Sequence, residues 1–245
     1  RRECYLDVDQ MTELYQCFLE KRYPEDWDTD WREHTHESLG LFLVQYLCNG
    51  FNLADAARLV YDDHYFKSGR KSFRFIRKKT EDRSDTEIVI PIIEPLQKIL
   101  DEIAAEPIKG SLVFPQIYAG EQNPEGMKAR VSQENQNIRK RLGRLVKTMG
   151  WEVAPSGTWC RHSFATNLSH AGGVPKEYIQ EAMGHSVMSG TVTDRYIQTY
   201  PLARQMEFNS KLLKVGNQVD IMGELQGLTP DQIQALIEMV KKNKS

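Results

Sequence analysis

Three side chains with complementary chemistry follow one another within residues 158–200, namely Arg161, His185 and Tyr196. A phenol is an oxygen nucleophile that can form an ester with a phosphate, and another hydroxyl can later displace that ester. An arginine binds a phosphate through two parallel hydrogen bonds, and a histidine can add a further donor. The set therefore predicts attack on a phosphodiester, with neither a metal nor a cofactor needed for the step.

The motifs around these side chains resemble those of the tyrosine recombinase (phage integrase) family. Residues 161–166 read RHSFAT where the family has R-H-x-F-A-T, and residues 183–186 read MGHS where the family has L-G-H-S. Tyr196 follows at about the family's distance, in the segment 193–196 (TDRY). Each motif alone is weak evidence, but three motifs in this order and spacing are a specific signal.

The resemblance extends towards the start of the chain. Residues 46–55 (YLCNGFNLAD) resemble the family's first motif, and residues 77–80 (RKKT) resemble the β-hairpin motif that supplies a catalytic lysine. It implies a catalytic domain over 1–213, without the family's amino-terminal core-binding domain. Residues 214–245 are predicted to be a linker and a C-terminal helix, which begins at a capping box. The linker allows this helix either to cap its own domain or, as the resemblance favours, to dock on a neighbouring protomer.

The resemblance also implies a function for each motif. Tyr196 would attack the scissile phosphate of double-stranded DNA and form a 3′-phosphotyrosyl link. Arg161 and His185 would bind the nonbridging oxygens, and Lys79 would protonate the departing 5′-oxygen. The expected enzyme is a site-specific DNA recombinase that acts as a tetramer on its recombination sites. It would need no cofactor and no metal, and its expected location is the bacterial cytoplasm, with the nucleoid.

Two positions depart from the family's pattern. Asn52 stands where the family has its first arginine, and Thr158 stands where it often has histidine or lysine. Because neither side chain carries a charge, the loss of a cationic donor would cost on the order of 10²-fold in rate. Arg77 or Arg58 could compensate by position. The alternatives are a slow enzyme, a DNA-binding relative that no longer cuts, and a type IB topoisomerase.

Other polar residues near the motifs have supporting or structural interpretations. Asp55 is expected to hold an active-site cation, and His162 is interpreted as a buried supporting residue, because adjacent helix residues point in different directions. Tyr200 is a second candidate for the nucleophile, four residues after Tyr196. The histidines of segment 34–36 are interpreted as surface residues, because no third metal ligand accompanies them.

Charge is unevenly distributed along the chain. The formal net charge is −2, but acidic residues concentrate between Glu20 and Glu37, while basic residues concentrate in 67–83 and 128–147. Basic stretches of this kind are typical of surfaces that follow a phosphate backbone. The residues predicted to contact DNA are Arg74, Lys78, Arg139, Arg141 and Arg144.

The elements that would position these residues are mostly helical. The predicted fold class is α+β, mainly α, the tyrosine-recombinase catalytic fold with a small antiparallel three-stranded sheet. Its strands are expected near 64–66, 72–77 and 87–90. Apolar spacing predicts helices at 7–20, 36–48, from 52, and at 94–105, 131–149, 159–171, 175–183 and 189–200. No apolar run approaches the length of a membrane helix, so no membrane partner is expected.

Overall fold

The computed structural model describes residues 4–77, 86–184 and 200–215. The chain divides into two units, Arg1–Leu213 and Lys214–Ser245, and every element named here belongs to the first. The helices are α1 (Val8–Glu20), α2 (Thr29–Leu47), α3 (Leu53–Ala57), α4 (Asp63–Lys67), α5 (Glu94–Ile103), α6 (Pro124–Thr148), α7 (Gly157–His170), α8 (Lys176–Ala182) and α9 (Leu202–Ser210). The strands are β1 (Ser72–Arg77) and β2 (Thr86–Pro91). The described chain is therefore mainly helical with a small antiparallel sheet.

Helix α2 lies at the centre of the fold. All nine residues from Leu39 to Leu47 are buried, and α1, α5, α6 and α7 pack around them. A helix that is apolar on all sides is stable only when neighbours cover every side. Within the described part, no helix is both long and apolar enough to cross a membrane.

Helix α2 begins seven residues earlier than its apolar spacing predicted. The side chain of Asp28 accepts a hydrogen bond from the Trp31 backbone amide at 2.7 Å and caps a helix that starts at Thr29 rather than near residue 36. An aspartate at this position satisfies an amide that the helix itself cannot bond. The first turns of α2 are polar because they lie at the surface, so they show no apolar spacing from which a helix could be predicted.

The sheet has two strands in the described residues, and the prediction of a third strand at 64–66 is wrong. Those residues lie in α4, where the side chain of Asp62 caps the Tyr65 amide at 3.0 Å. Tyr65 instead stacks on Phe73 of β1, with ring centroids 5.0 Å apart and planes within 13°. β1 and β2 pair antiparallel, with Phe75 opposite Ile88. The aromatic residues favoured a strand by propensity, but the cap and packing decided the outcome.

Most of the other predicted helices are present. Helix α6 begins at Pro124, seven residues before the predicted start at 131, with Asn123 as its cap. The buried residues of α6 recur at helical spacing along one face, namely Ile138, Leu142, Leu145 and Val146. Helices α7 and α8 lie within two residues of their predicted bounds. The predicted helix 189–200 lies outside the described residues except for Tyr200, which is not helical. The predicted C-terminal helix lies outside them entirely.

Candidate active site

Arg161 joins three segments of the chain that carry the predicted motifs. It lies in the second turn of α7, and its guanidinium donates to the Gly50 carbonyl through Nη1 at 3.3 Å and to the Met183 carbonyl through Nη2 at 3.0 Å. Gly50 precedes Asn52 by two residues, and Met183 precedes His185 by two. One partly buried side chain therefore connects the end of α2 with α7 and the end of α8.

Gly50 allows α7 to approach this closely. Its φ is +67°, and a Cβ added there would lie 3.1 Å from the Cα of Arg161 and 3.2 Å from the Cβ of Phe164. Only glycine combines a left-handed backbone with such contact at little cost. The asparagine–glycine pair that follows α2 thus makes room for the arginine beside it.

Helix α7 is fixed to the rest of the core by buried hydrogen bonds. The Ser163 hydroxyl accepts from the Leu6 amide at 2.9 Å. The Asn167 amide donates to the Leu6 carbonyl at 3.1 Å and to the Tyr46 hydroxyl at 2.8 Å. These bonds fix the buried face of α7 against the core, and the core therefore sets the orientation of Arg161 on that helix.

The two polar neighbours of Arg161 on α7 are both exposed. Thr158 lies in its first turn and is open to solvent. His162 is exposed as well, so the interpretation of His162 as a buried supporting residue is wrong. It points away from the packed face because residues adjacent on a helix are turned by about 100° from each other.

Helix α3 places Asn52, Asp55 and Arg58 on consecutive turns. The Asn52 side chain accepts from the Asp55 amide at 2.7 Å and is the N-cap of the helix. The Asp55 side chain is buried, and its Oδ1 accepts from Arg58 Nη2 at 2.9 Å. Arg58 also lies over the ring of Phe75 in β1, 5.2 Å from its centroid. Asp55 therefore holds a cation, although its partner is not at position 52.

Tyr200 is anchored by its surroundings. Its ring packs edge-on against Tyr178 and Phe208, with centroids 5.5 and 5.7 Å away. The Tyr200 carbonyl accepts from the Gln205 side chain at 2.6 Å. Burial raises the pKa of the Glu181 carboxyl, which accepts a hydrogen bond from the Tyr200 backbone amide. Both the ring and the backbone of Tyr200 thus have structural roles.

A buried chain of amides connects α8 and α9 with the corner at Gly50. The Tyr178 hydroxyl donates to the Asn209 side chain at 2.7 Å, which donates to the Asn49 side chain at 2.9 Å. Asn49 in turn donates to the Val89 carbonyl of β2 at 3.0 Å. Asn49 and Asn209 have no exposed surface. Nothing in their sequence motifs signalled this connection, because the partners lie 160 residues apart.

The predicted DNA-contacting arginines have different environments. Arg139 is exposed on α6. Arg144 stacks over the rings of Trp27 and Trp31, at 4.7 and 5.0 Å. Arg74 pairs with two carboxylates, those of Asp62 at 3.2 Å and Glu87 at 3.8 Å.

Arg141 requires a correction. Its side chain is only 16% exposed, donates to the Ser38 hydroxyl at 3.0 Å and lies 3.6 Å from Glu134. It therefore belongs to the interface of α6 with α2 rather than to a DNA-contacting surface. The sequence did carry the signal, because Arg141 lies three residues after Ile138 and four before Leu145, on the buried side of the helix.

The remaining predicted site residues belong to segments outside the described ranges or at their edge. Tyr196, His185, Lys79 and Lys78 lie outside the described residues, and only the backbone of Arg77 is described, at the end of β1. The described ranges contain no cluster of three or more histidine, cysteine, aspartate or glutamate side chains that could hold a metal ion.

His36 is not the surface residue that the sequence suggested. Its side chain is 14% exposed, stacks on Phe18 with centroids 4.2 Å apart, and bonds Tyr23 and Glu102 at 2.7 and 3.0 Å. Burial lowers its pKa, although Glu102 opposes that change. His36 therefore links α2, α5 and the segment after α1, away from the motifs.

One family profile and two solved structures are similar to this chain. The sequence profile described as the phage integrase family matches residues 6–202. Among solved structures, an integrase from mycobacterium phage Brujita is similar, with 15% identity and a TM-score of 0.49 over 86% of this chain and 73% of that one. The XerH site-specific recombinase bound to difH substrate is also similar, with 15% identity and a TM-score of 0.45 over 84% of this chain and 50% of that one.

No protein of curated function matches the chain. The family profile nevertheless spans α1 to the start of α9, including Arg161 and the segments that it joins. On this evidence the chain belongs to the phage integrase family and is a tyrosine-type site-specific DNA recombinase.

Proposed function

We propose that this recombinase cuts and rejoins DNA with Tyr196 as its nucleophile. The phenol releases its proton to solvent, its oxygen attacks the scissile phosphorus and the P–O5′ bond breaks. A 3′-phosphotyrosyl link remains, and the departing 5′-oxygen gains a proton from Lys79. The 5′-hydroxyl of a partner strand then attacks this link, which restores a phosphodiester and frees the phenol. Bond energy is conserved throughout, so the cycle consumes no cofactor.

The position of Arg161 is the observation that carries this proposal. Its bonds to Gly50 and Met183 connect α7 with the segments that lead to Asn52 and to His185. In the proposal, Arg161 and His185 donate to the nonbridging oxygens as negative charge builds up on them. Donors that are oriented in advance stabilise such charge because they need not reorganise during the reaction.

The environment of Tyr200 supports Tyr196 as the nucleophile. The Tyr200 ring packs edge-on against Tyr178 and Phe208, and its hydroxyl makes no hydrogen bond within the described ranges. A nucleophile must reach a phosphate and be activated there, whereas this ring is held by packing. Tyr200 instead fixes the chain four residues after Tyr196.

The partner in this proposal is a double-stranded DNA recombination site, bound by a tetramer. Arg139, Arg144 and Arg74 would contact phosphates, together with Lys78 of the hairpin. Residues 214–245 would dock on a neighbouring protomer and hold the tetramer together, with 1–213 as the catalytic domain. The enzyme would act where the DNA is, in the bacterial cytoplasm and with the nucleoid.

The test is covalent capture on nicked suicide duplexes that carry candidate recombination sites. A break near the scissile phosphate lets the 5′-hydroxyl fragment diffuse away, so the protein–DNA ester accumulates and is visible on a denaturing gel. Wild type, Tyr196→Phe and Tyr200→Phe are compared. We expect the adduct to be lost with Tyr196→Phe and retained with Tyr200→Phe, because phenylalanine preserves the packing of the Tyr200 ring.

Two outcomes would contradict the proposal. Loss of the adduct with Tyr200→Phe alone would make Tyr200 the nucleophile. Absence of any adduct on DNA that the protein demonstrably binds would favour a relative that no longer cuts. Asn52 gives that second result a physical basis, since its oxygen is already used as a helix cap.

A further inference from the structure

We infer that Arg58 supplies the second cation at the scissile phosphate. The inference rests on the proposed function, because it concerns the same phosphoryl transfer. Charge builds up on two nonbridging oxygens during the reaction, and one arginine accounts for only part of its neutralisation. Asn52 cannot add to it, because the side chain is neutral and its oxygen is bonded to the Asp55 amide.

The orientation of Arg58 is fixed by its own helix turn. Nη2 donates to Asp55 Oδ1 at 2.9 Å, and Nε donates to the Ala54 carbonyl at 3.3 Å. A guanidinium has five N–H donors. Both donors of Nη1 and one of Nη2 therefore lack an acceptor among the described residues. Two parallel donors of this kind match the geometry of a phosphate.

The Arg58 side chain is accessible although its partner is buried. It is 41% exposed, whereas the Asp55 side chain is 5% exposed. The carboxylate can therefore hold the guanidinium from the protein side while an anion approaches from solvent. A carboxylate behind an arginine restricts its rotamers, so less entropy is lost when a phosphate binds.

Ring contacts place Arg58 on the same corner of the molecule as Arg161. Its Cζ lies 5.2 Å from the centre of the Phe75 ring, and that ring lies 4.8 Å from the ring of Phe51. Phe51 directly follows Gly50, whose carbonyl accepts a hydrogen bond from Arg161. The two arginines are thus connected through the Phe75–Phe51 ring pair and the Gly50–Phe51 peptide. Phe75 also belongs to β1, the strand that leads towards Lys79.

The experiment measures single-turnover formation of the covalent adduct by Arg58→Ala and Arg58→Lys on suicide duplexes. We expect a loss of about 10²-fold with alanine and a smaller loss with lysine, which keeps the charge but not the fork. Asn52→Arg introduced into the Arg58→Ala protein should restore part of the rate. Affinity for the same duplex, measured by mobility shift, should change much less.

A substrate analogue separates a contact with phosphate from a structural effect. A methylphosphonate at the scissile position removes the negative charge of one nonbridging oxygen. If Arg58 neutralises that charge, the ratio of methylphosphonate to phosphate cleavage should rise in Arg58→Ala relative to wild type. A defect caused by folding alone would lower both rates and leave that ratio unchanged.

Arg204 provides a matched control. It also pairs with a carboxylate three residues away, Glu207, and lies over a phenylalanine ring, Phe208, at 5.0 Å. Arg204→Ala should leave cleavage unchanged. Because Arg58→Ala leaves the Asp55 carboxylate buried without this partner, the double variant Asp55→Asn/Arg58→Gln is included in case the single variant fails to fold.

Three results with these variants would overturn the assignment of the second cation to Arg58. Wild-type cleavage by Arg58→Ala or by the double variant would exclude a role at the phosphate, and so would an equal loss with Arg204→Ala. A defect in Arg77→Ala that Asn52→Arg rescues, without such a defect in Arg58→Ala, would assign the second cation to Arg77. These results are distinguishable from failure of the proposed function, in which Tyr196→Phe would still form the adduct.

Discussion

The corner around Gly50 and the basic face of α6 both carry arginines, but they hold them differently. At the corner, Arg161 bonds two carbonyls and Gly50 touches α7, while Asn49 and Asn209 are buried close by. On α6, Arg139 is exposed, and Arg144 is exposed while it lies over the rings of Trp27 and Trp31. At the corner, contacts with the core fix the orientation of the Arg161 side chain. On α6, the charges of Arg139 and Arg144 are exposed to solvent. Single changes should therefore have large effects at the corner and small, additive effects on α6.

The largest effect is expected for Arg161→Ala. This change removes the cation nearest the motifs and both bonds that tie α7 to Gly50 and Met183. We expect adduct formation to fall by about 10²- to 10³-fold in single-turnover assays. DNA affinity should fall much less, since many phosphate contacts contribute to it. Adduct formation at the wild-type rate would show that the corner does not contain the reacting centre.

The next largest effect, on stability, is expected where α7 lies against Gly50. A left-handed backbone at a residue other than glycine costs about 1–2 kcal/mol. Gly50→Ala should lower the free energy of unfolding by more than this, because the new Cβ would also crowd Arg161 and Phe164. Gly69→Ala is the matched control, with a φ of +68° and no atom within 4 Å of its Cβ. Urea unfolding of both variants isolates the contribution of crowding. Equal losses in the two would mean that the corner relaxes easily.

A smaller effect distinguishes two arginines on α6. Arg139→Ala should reduce the slope of log affinity against log salt by about 1, with little change in stability, because one phosphate contact is lost. Arg141→Ala should leave the slope unchanged and lower the free energy of unfolding by about 1–3 kcal/mol, since Ser38 and Glu134 lose a buried partner. Mobility shifts over a salt series and urea unfolding measure the two quantities. The opposite pattern would return Arg141 to the DNA-contacting surface.

The sequence predicted the elements better than the contacts between them. Helices α1, α5 and α7 followed from apolar spacing, and Asn52 was placed correctly at a helix start, because spacing and capping are local properties. The strand at 64–66 failed because Tyr65 packs on Phe73 rather than beside another strand. Burial of Asn49 and Asn209 could not be predicted, since their bond joins residues that only the folded chain brings together.

For the site as well, the sequence predicted which residues take part but not which contacts orient them. Motif order identified Arg161, but the partners of its guanidinium are two backbone carbonyls, which no motif encodes. The exposure of His162 depended on which face of α7 meets the core. Arg58 was one of two candidates by position, and its orientation by Asp55 and Phe75 became visible only in the fold.

The smallest predicted effect lies outside both regions and concerns a buried titratable side chain that takes no part in catalysis. Burial lowers the pKa of His36 below its ordinary value of 6.5, so the unfolded chain binds a proton more readily than the folded one. The unfolding free energy should therefore decrease as pH falls below 6.5 and level off below the lowered pKa. His36→Gln should flatten this part of the urea-unfolding profile. Because His36 contacts Phe18, Tyr23 and Glu102 rather than the motifs, the rate of adduct formation per folded molecule should not follow the same curve. If the unfolding free energy and the rate of adduct formation fell together with pH, α2 would transmit the change from His36 to the corner at Gly50.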